Sequence, residues 1–216
     1  VAIVGWTGAG KTSLIHLLLK FFLPQKGKIL VEGVDLSRIP TGEWRRHCAL
    51  VPQEEYIFRG TLASNIALFD GGITAEMLDD CARESGLEWF LHHFPHRWEE
   101  PLAERGENLS VGQKQFLSLM RALVRRPSLL LLDEATSHLD PESEAHLQEG
   151  LKHLLEGRTA LLVSHRLSTL RLADRILVLH QGSLLESGNH RELLAKNGLY
   201  ARWVALSSGK AEVVPG

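Results

Sequence analysis

The sequence predicts an α/β fold in which helices cover a mostly parallel sheet and an α-helical subdomain is inserted into the core. Segments with the character of strands alternate with helical segments, which is the pattern of parallel sheets. The segments 129–132 and 159–163 are apolar almost throughout, as expected of strands that are covered on both faces. Between residues 61 and 126 the strand segments stop and only helical patterns follow.

The individual elements are short apolar runs with polar or glycine-containing borders. A glycine-rich loop separates the first strand from an apolar helix that carries Leu14, Ile15, Leu17, Leu18 and Leu19. The predicted strands are Val1–Val4, Lys28–Val31, Cys48–Val51, Leu129–Leu132, Thr159–Val163, Ile176–Leu179 and Leu184–Ser187. In the middle segment the predicted helices are Thr61–Ala67, Thr74–Ser85, Leu87–Phe94 and Val111–Arg125.

Composition excludes several classes of protein without naming a function. The 216 residues are 44% hydrophobic and 23% charged, which is ordinary for a soluble chain. The net charge of −2 gives no electrostatic indication of nucleic-acid binding. The two cysteines, Cys48 and Cys81, are too few for a disulfide framework and fit a reducing cytosol. No apolar run approaches the length of about 18 residues that a membrane span needs, so we expect this chain to be soluble by itself.

The first strand leads directly into a complete phosphate-binding loop. The predicted nucleotide-binding residues are Gly5, Trp6, Thr7, Gly8, Ala9, Gly10, Lys11, Thr12 and Ser13. Glycines let the backbone direct successive N–H groups at phosphate oxygens, and the following helix points its positive end at the same place. Lys11 is expected to neutralise the β- and γ-phosphates, and the Thr12 hydroxyl to ligate Mg²⁺. The alternative is a flexible glycine turn before an ordinary helix.

Polar residues follow three further predicted strands. Gln53 comes after the strand that ends at Val51, Asp133 and Glu134 follow Leu132, and His165 follows Val163. Ligands of open α/β sheets bind at the carboxyl ends of the strands, so these groups are expected near the phosphate loop.

Each of these groups has an expected role in hydrolysis. Asp133 is a carboxylate for Mg²⁺, and Glu134 is placed to hold or deprotonate the attacking water. Gln53 is expected to reach the Mg²⁺ or the water, and His165 the γ-phosphate. Taken singly, each group could instead have a structural role only, as a strand end, a loop amide or a hydrogen-bonded histidine.

The segment Leu109–Gln113 identifies the branch of phosphate-loop proteins that this chain resembles. It is similar to the signature of the nucleotide-binding domains of ATP-binding cassette (ABC) transporters. The motifs that match are Walker A at Gly5–Thr12, Q-loop Gln53, signature Ser110, Val111, Gly112 and Gln113, Walker B Leu129–Asp133, catalytic Glu134, the D-loop with Asp140, and switch His165. The segment 51–66 and the Glu104–Gly106 element resemble those of exporters, in which the latter element lies near the coupling helices of the membrane domain.

This resemblance implies a division of the chain into three parts. Residues 1–60 and 127–207 would form an ATP-binding core of the P-loop NTPase type, without its N-terminal strands. Residues 61–126 would form the helical subdomain that carries the signature. Residues 208–216 are polar and marked by glycine and proline, and they are expected to form a disordered tail.

The resemblance also implies cofactors, partners and a location. ATP and Mg²⁺ would bind, and a second nucleotide-binding domain would form a head-to-tail dimer, either a homodimer or a heterodimer. In that dimer Ser110 and its neighbours would contact the ATP of the other chain. A transmembrane domain is expected in the same full-length chain, at the cytoplasmic face of the cell membrane, and no nucleic acid is expected. Ser110 and Gln113 also match a capping box, which is the purely structural interpretation of the signature.

Three features depart from the family pattern. Val111 stands where glycine is commonest, which suggests a less active site rather than an inactive one. Trp6 occupies a loop position that is often smaller, and its indole is expected to point away because the loop binds phosphate through its backbone. The strands that precede Walker A, and the aromatic residue that stacks on adenine, are absent from this sequence, so we expect weaker nucleotide binding.

Other functions were weighed against transport. A non-transport cassette ATPase that acts on DNA or ribosomes is the main alternative, although its long coiled coils or tandem cassettes are missing. A phosphotransferase gives no role to the signature or to His165. The histidines at 92, 93 and 96 are interpreted as a solvated helix end, because no zinc-binding pattern accompanies them.

Overall fold

The computed structural model describes residues 1–133, 151–152, 155 and 157–207. The chain forms two compact units, one made of Val1–Trp44 with Leu161–Gly216 and the other of Arg45–Ala160. No helix in the described residues is both long enough and apolar enough to span a membrane.

The described elements are these, in chain order. The strands are β1 Ala2–Val4, β2 Leu30–Val31, β3 Val34–Asp35, β4 Cys48–Val51, β5 Gly60–Thr61, β6 Pro101–Leu102, β7 Leu129–Asp133, β8 Thr159–Val163, β9 Ile176–His180 and β10 Ser183–Gly188. The α-helices are α1 Lys11–Leu18, α2 Thr41–Arg46, α3 Leu62–Ala67, α4 Ala75–Glu84, α5 Val111–Leu123, α6 Leu167–Leu170, α7 His190–Ala195 and α8 Leu199–Ser207. Short 3₁₀ helices lie at Leu36–Arg38, Glu88–His93, Arg97–Glu99 and Glu104–Gly106.

The first unit is built on parallel strands. Strand β1 pairs in parallel with β8 on one side and with β9 on the other, and β10 pairs with β9 in the antiparallel sense. All three residues of β1 are buried, which agrees with a central position between two neighbours. The predicted α/β class with a mostly parallel sheet is therefore confirmed.

One predicted strand of this unit belongs elsewhere. The segment Lys28–Val31 was expected in the parallel sheet, but only Leu30–Val31 is a strand, and it forms a separate antiparallel hairpin with Val34–Asp35. Glu32 and Gly33 have φ values of 49° and 83°, so the chain reverses within two residues. A turn with positive φ at both central residues matches the twist of a hairpin and prevents this strand from crossing over to the parallel sheet.

The second unit combines a parallel strand pair with the helical segment. Strands β4 and β7 pair in register from Cys48 opposite Leu129 to Val51 opposite Leu132. Helix α5 buries most of its length, and its Phe116 stacks on Phe90 with the ring centroids 4.9 Å apart. This packing fixes the helix that begins at the signature.

The prediction of a strand-free segment after residue 60 is wrong in one detail. Gly60–Thr61 pairs with Pro101–Leu102 in an antiparallel ladder, and the Leu62 N–H donates to the Glu100 carbonyl at 2.9 Å. Strands of two residues have too few positions to show alternation, so no sequence pattern reveals them. The predicted helix Leu87–Phe94 is a 3₁₀ helix over Glu88–His93.

Candidate functional site

The phosphate loop leaves the carboxyl end of β1 and ends at α1. Gly10 caps the helix with φ 97°, a value that glycine adopts without strain, and no side chain caps the first turn. The Ala9 N–H donates to the Trp6 carbonyl at 3.0 Å, which closes the loop on itself. The loop thus presents main-chain N–H groups and a helix N-terminus, the two features that bind phosphate.

Lys11 is held inside this loop by its own backbone. Only 9% of the residue is exposed, and its Nζ donates to the Gly5 carbonyl at 2.7 Å and to the Trp6 carbonyl at 3.2 Å. A buried ammonium group needs such acceptors because the loss of water is otherwise strongly unfavourable. The ammonium group is therefore fixed within the loop.

Strand β9 and the turn after it support the loop from below. A Cβ atom on Gly5 would lie 2.3 Å from the Leu179 carbonyl oxygen, so the loop approaches this strand too closely for any side chain. The Gly182 N–H, in the turn between β9 and β10, donates to the Ala9 carbonyl at 3.2 Å. The position of the loop is thus set by main-chain contacts with the neighbouring strand.

The side chain of Trp6 lies away from the phosphate-binding backbone. The residue is 42% exposed, and its ring contacts His180 edge to face with the centroids 6.1 Å apart. Its carbonyl nevertheless serves the loop, because it accepts from Lys11 and Ala9. Other loop residues with exposed side chains are Thr7, Thr12 and Ser13.

The loop that carries His165 leaves the same end of the first unit's strands. Ile3 of β1 lies opposite Val163 of β8, so the chain segments that begin at Gly5 and Ser164 start side by side. Ser164 is buried, and its hydroxyl accepts from the Arg166 N–H at 3.0 Å. His165 is exposed, and its ring lies 6.2 Å from that of Trp203.

In the second unit, Gln53 and Asp133 also follow paired strands. Because Val51 lies opposite Leu132, the two segments leave the same end of β4 and β7. Gln53 is exposed, whereas Asp133 is 9% exposed at the last position of its strand. A carboxylate at that depth is suited to an inner-lying cation. The assembly of both loop pairs into one nucleotide site remains a prediction.

The signature residues form the predicted capping box at the start of α5. The Ser110 hydroxyl accepts from the Gln113 N–H at 3.2 Å, and the Gln113 side chain accepts from the Ser110 N–H at 2.8 Å. The Gln113 amide also donates to the His93 carbonyl at 3.2 Å. Val111 is exposed and Gly112 is buried. The capping prediction is confirmed, and the role toward a phosphate of another chain stays a prediction.

An arginine in α5, which sequence reasoning missed, holds the segment that follows Gln53. Arg121 donates from Nε to the Asn65 carbonyl at 2.8 Å, and from its terminal nitrogens to the Asn65 side-chain oxygen at 2.9 Å and the Tyr56 carbonyl at 2.6 Å. Burial raises the pKa of the nearby Glu55 carboxyl to about 7, and Arg121 and Lys114 partly offset this. The helix that begins at the signature is thereby tied to the segment after Gln53.

The two exporter-like elements also contact each other. The Arg105 N–H donates to the Ile57 carbonyl at 2.9 Å. A Cβ atom on Gly106 would lie 2.6 Å from Ile57 Cδ1, so these segments pack closely. The contact places Glu104–Gly106 on the segment that follows Gln53.

Several predicted residues lie outside the described residues. They are Glu134, the D-loop with Asp140, and the tail 208–216. Of the histidine cluster, His92, His93 and His96 are all exposed, and the first two end the 3₁₀ helix Glu88–His93, as the interpretation of a solvated helix end predicts.

Comparison with known proteins gives a consistent family. The family model described as ABC transporter matches residues 1–137. A probable multidrug resistance ABC transporter ATP-binding/permease protein, YheH of Bacillus subtilis, is 43% identical over 210 residues, which are 97% of this chain and 31% of the relative. The ATP-dependent lipid A-core flippase of Pseudomonas aeruginosa is 42% identical over 216 residues, which are 100% of this chain and 36% of the relative.

A third relative and a solved structure agree with these. The cyclolysin secretion/processing ATP-binding protein CyaB of Bordetella pertussis is 40% identical over 98% of this chain and 30% of its own length. The solved structure of a bacterial Atm1-family ABC exporter with ATP bound aligns with a TM-score of 0.87 and 37% identity, over 99% of this chain and 37% of the other. The chain thus spans about a third of the length of these relatives.

Proposed function

We propose, on the premise that this chain belongs to the ABC transporter family, that it is the ATP-binding and ATP-hydrolysing unit that powers an exporter. One observation carries the proposal: the buried Lys11 ammonium is held inside a closed glycine loop whose helix has no side-chain cap. Such a loop fits a triphosphate, because its positive charge and main-chain N–H groups are already directed inward.

In the proposed mechanism, residues of the first unit bind the nucleotide. The loop amides hold the phosphates and Lys11 neutralises the β- and γ-phosphate oxygens. Mg²⁺ would be held by Thr12, Gln53 and Asp133, and when bound it would reduce the negative charge that opposes attack on phosphorus. The oxygen chemistry of these three residues suits that ion.

Hydrolysis itself is assigned to Glu134, Gln53 and His165. Glu134 accepts a proton from water while the water oxygen bonds to the γ-phosphorus. The bond between that phosphorus and the oxygen that bridges it to the β-phosphate breaks, and ADP leaves with this oxygen. Gln53 orients the water, and the exposed His165 ring contacts a γ-phosphate oxygen and holds it in line.

A second nucleotide-binding domain would complete each site. The helix start at Ser110–Gln113 presents backbone N–H groups, and a phosphate from ATP on the other chain would accept from them. Two ATP molecules would then lie between two chains in a head-to-tail dimer, with Asp140 of the D-loop at the same interface. Val111 in the signature makes a heterodimer as well as a homodimer part of the proposal.

The remaining partners follow from the relatives. We expect a transmembrane domain in the same full-length chain, at the cytoplasmic face of the cell membrane, since one relative is named an ATP-binding/permease protein. Residues 1–60 and 127–207 would be the ATP-binding core and residues 61–126 the signature subdomain. A non-transport cassette ATPase acting on DNA or ribosomes is not favoured, because the relatives are named for multidrug resistance, lipid A-core flipping and cyclolysin secretion.

Replacement of Asp133 by asparagine tests the proposed site. We expect Asp133→Asn in the full-length protein to weaken the dependence of ATP binding on Mg²⁺ by about 10- to 100-fold, since it removes a carboxylate charge near the ion. Nucleotide titrations with and without Mg²⁺ measure the effect. Asp35→Asn is the matched control, because Asp35 caps a 3₁₀ helix and asparagine caps equally well. An Asp133 variant with unchanged Mg²⁺ dependence would contradict the placement of the ion.

A further inference from the structure

Helix α8, near the end of the chain, contacts the histidine that the proposed mechanism places at the γ-phosphate. The rings of Trp203 and His165 have their centroids 6.2 Å apart and their planes inclined by 39°. This separation lies within the range of interacting aromatic pairs. Trp203 is 8% exposed whereas His165 is exposed, so the indole supports the imidazole from the protein side and leaves the rest of the ring accessible.

Trp203 is itself held firmly. The ring of Tyr200, one helical turn earlier, lies 6.2 Å from that of Trp203 at an interplanar angle of 24°. Tyr200 is fully buried, and its hydroxyl is 2.8 Å from His190 Nδ1 on α7. An aromatic side chain with two such neighbours has little rotamer freedom, so its position is set by the two last helices.

The start of α8 is fixed to strand β10. The carboxylate of Glu186 accepts from the Leu199 N–H at 2.6 Å and from the Tyr200 N–H at 3.2 Å. A Cβ atom on Gly198 would lie 2.2 Å from this carboxylate, so glycine is needed where the chain enters the helix. A carboxylate at a helix N-terminus is stabilising, and here it joins α8 to the sheet from which the phosphate loop also emerges.

We propose that Trp203 is a positioning residue that fixes the ring of His165 for contact with the γ-phosphate. The inference rests on the proposed function, since it assumes that His165 acts in hydrolysis. It assigns a role to a residue outside the segment 1–137 that the family model matches. Trp203 itself does not touch ATP, so its replacement is expected to slow turnover without weakening nucleotide binding.

The test compares Trp203 variants in the full-length protein. Trp203→Met keeps an apolar side chain that adapts to irregular space but removes the ring, and we expect kcat to fall by about threefold to tenfold with little change in the KM for ATP. Trp203→Phe keeps a ring and should restore most of kcat. ATPase rates, normalised to the folded fraction from thermal unfolding, measure both. An unchanged kcat in Trp203→Met, or equal losses in the two variants, would overturn the inference.

Trp44 provides the matched control within the same unit. It is also 8% exposed, and its Nε1 donates to the Leu18 carbonyl at 2.5 Å, far along the chain from His165. Trp44→Met should leave kcat unchanged per folded molecule, and an equal loss there would overturn the positioning role of Trp203. A His165→Gln variant is assayed beside these. If it turns over normally, the proposed role of His165 fails, whereas an inactive His165→Gln with a fully active Trp203→Met overturns only the inference about Trp203.

Discussion

Glu134→Gln is expected to abolish ATP turnover while nucleotide binding persists. Glutamine keeps the size and shape of the side chain but removes the carboxylate that accepts the proton of the attacking water. Loss of a general base lowers rates by about 10² to 10⁴. The ATPase rate of the full-length protein and its affinity for ATP, measured on the same preparation, separate the two effects.

The same variant should accumulate the nucleotide-loaded dimer. If ATP holds two chains together and hydrolysis releases them, then blocked hydrolysis traps the dimer, which gel filtration with ATP would detect. Glu43→Gln is the control, because Glu43 is an exposed residue of α2. A Glu134→Gln variant that hydrolyses ATP at a near wild-type rate would remove Glu134 from its assigned role.

Lys11→Ala is expected to weaken ATP binding and to suppress hydrolysis. Hydrogen bonds to charged groups contribute about 1.5–3 kcal/mol each, so the loss of one corresponds to a decrease in affinity of about 10- to 100-fold. The effect on turnover should be larger, about 10² to 10³, because the charge on the γ-phosphate must be stabilised during transfer. Titration with ATP and with ADP measures the loss and tests whether it is greater for the triphosphate.

Lys20→Ala is the matched control for Lys11→Ala. Both lysines belong to the same unit, and each donates from Nζ to a main-chain carbonyl, that of Ile39 in the case of Lys20. Lys20 lies two residues beyond the end of α1 and outside the phosphate loop, so its removal should leave ATP affinity unchanged. Equal losses of affinity in the two variants would show that a general effect on folding, and not the loop, is responsible.

The sequence predicts those features that depend on local pattern. Strands β4 and β8 have the bounds expected from apolar runs, Cys48–Val51 and Thr159–Val163. The capping box at Ser110 and Gln113 is likewise a matter of four consecutive residues, and the structure contains it. Such features are predictable because hydrophobic periodicity and end-capping act over a few neighbouring residues.

Contacts between distant segments could not be predicted in the same way. The hairpin of β2 and β3 depends on a left-handed Glu32, a residue type with no special preference for that conformation. The spacing of Tyr200 and Trp203 indicates that both lie on one face of a helix, but nothing in the spacing identifies His165 as the neighbour. The hydrogen bonds of Arg121 to Asn65 and Tyr56 join segments that only the fold brings together.

Complementation between two inactive variants tests the central claim most directly, namely that each ATP is shared between Lys11 of one chain and Ser110 of the other. In a symmetric dimer, Lys11→Ala or Ser110→Ala alone impairs both sites. In a mixed dimer one site carries both changes and the other carries neither. With free exchange and independent sites, half of the dimers are mixed and half of their sites are intact, so an equal mixture should recover up to about a quarter of wild-type ATPase activity.

Each variant assayed alone gives the baseline, and Ser110→Thr, which keeps a capping hydroxyl at the start of α5, controls for the loss of the cap. The account predicts that the mixture of the two inactive full-length variants hydrolyses ATP well above both baselines. A mixture that remains as inactive as its components would contradict sites shared between identical chains.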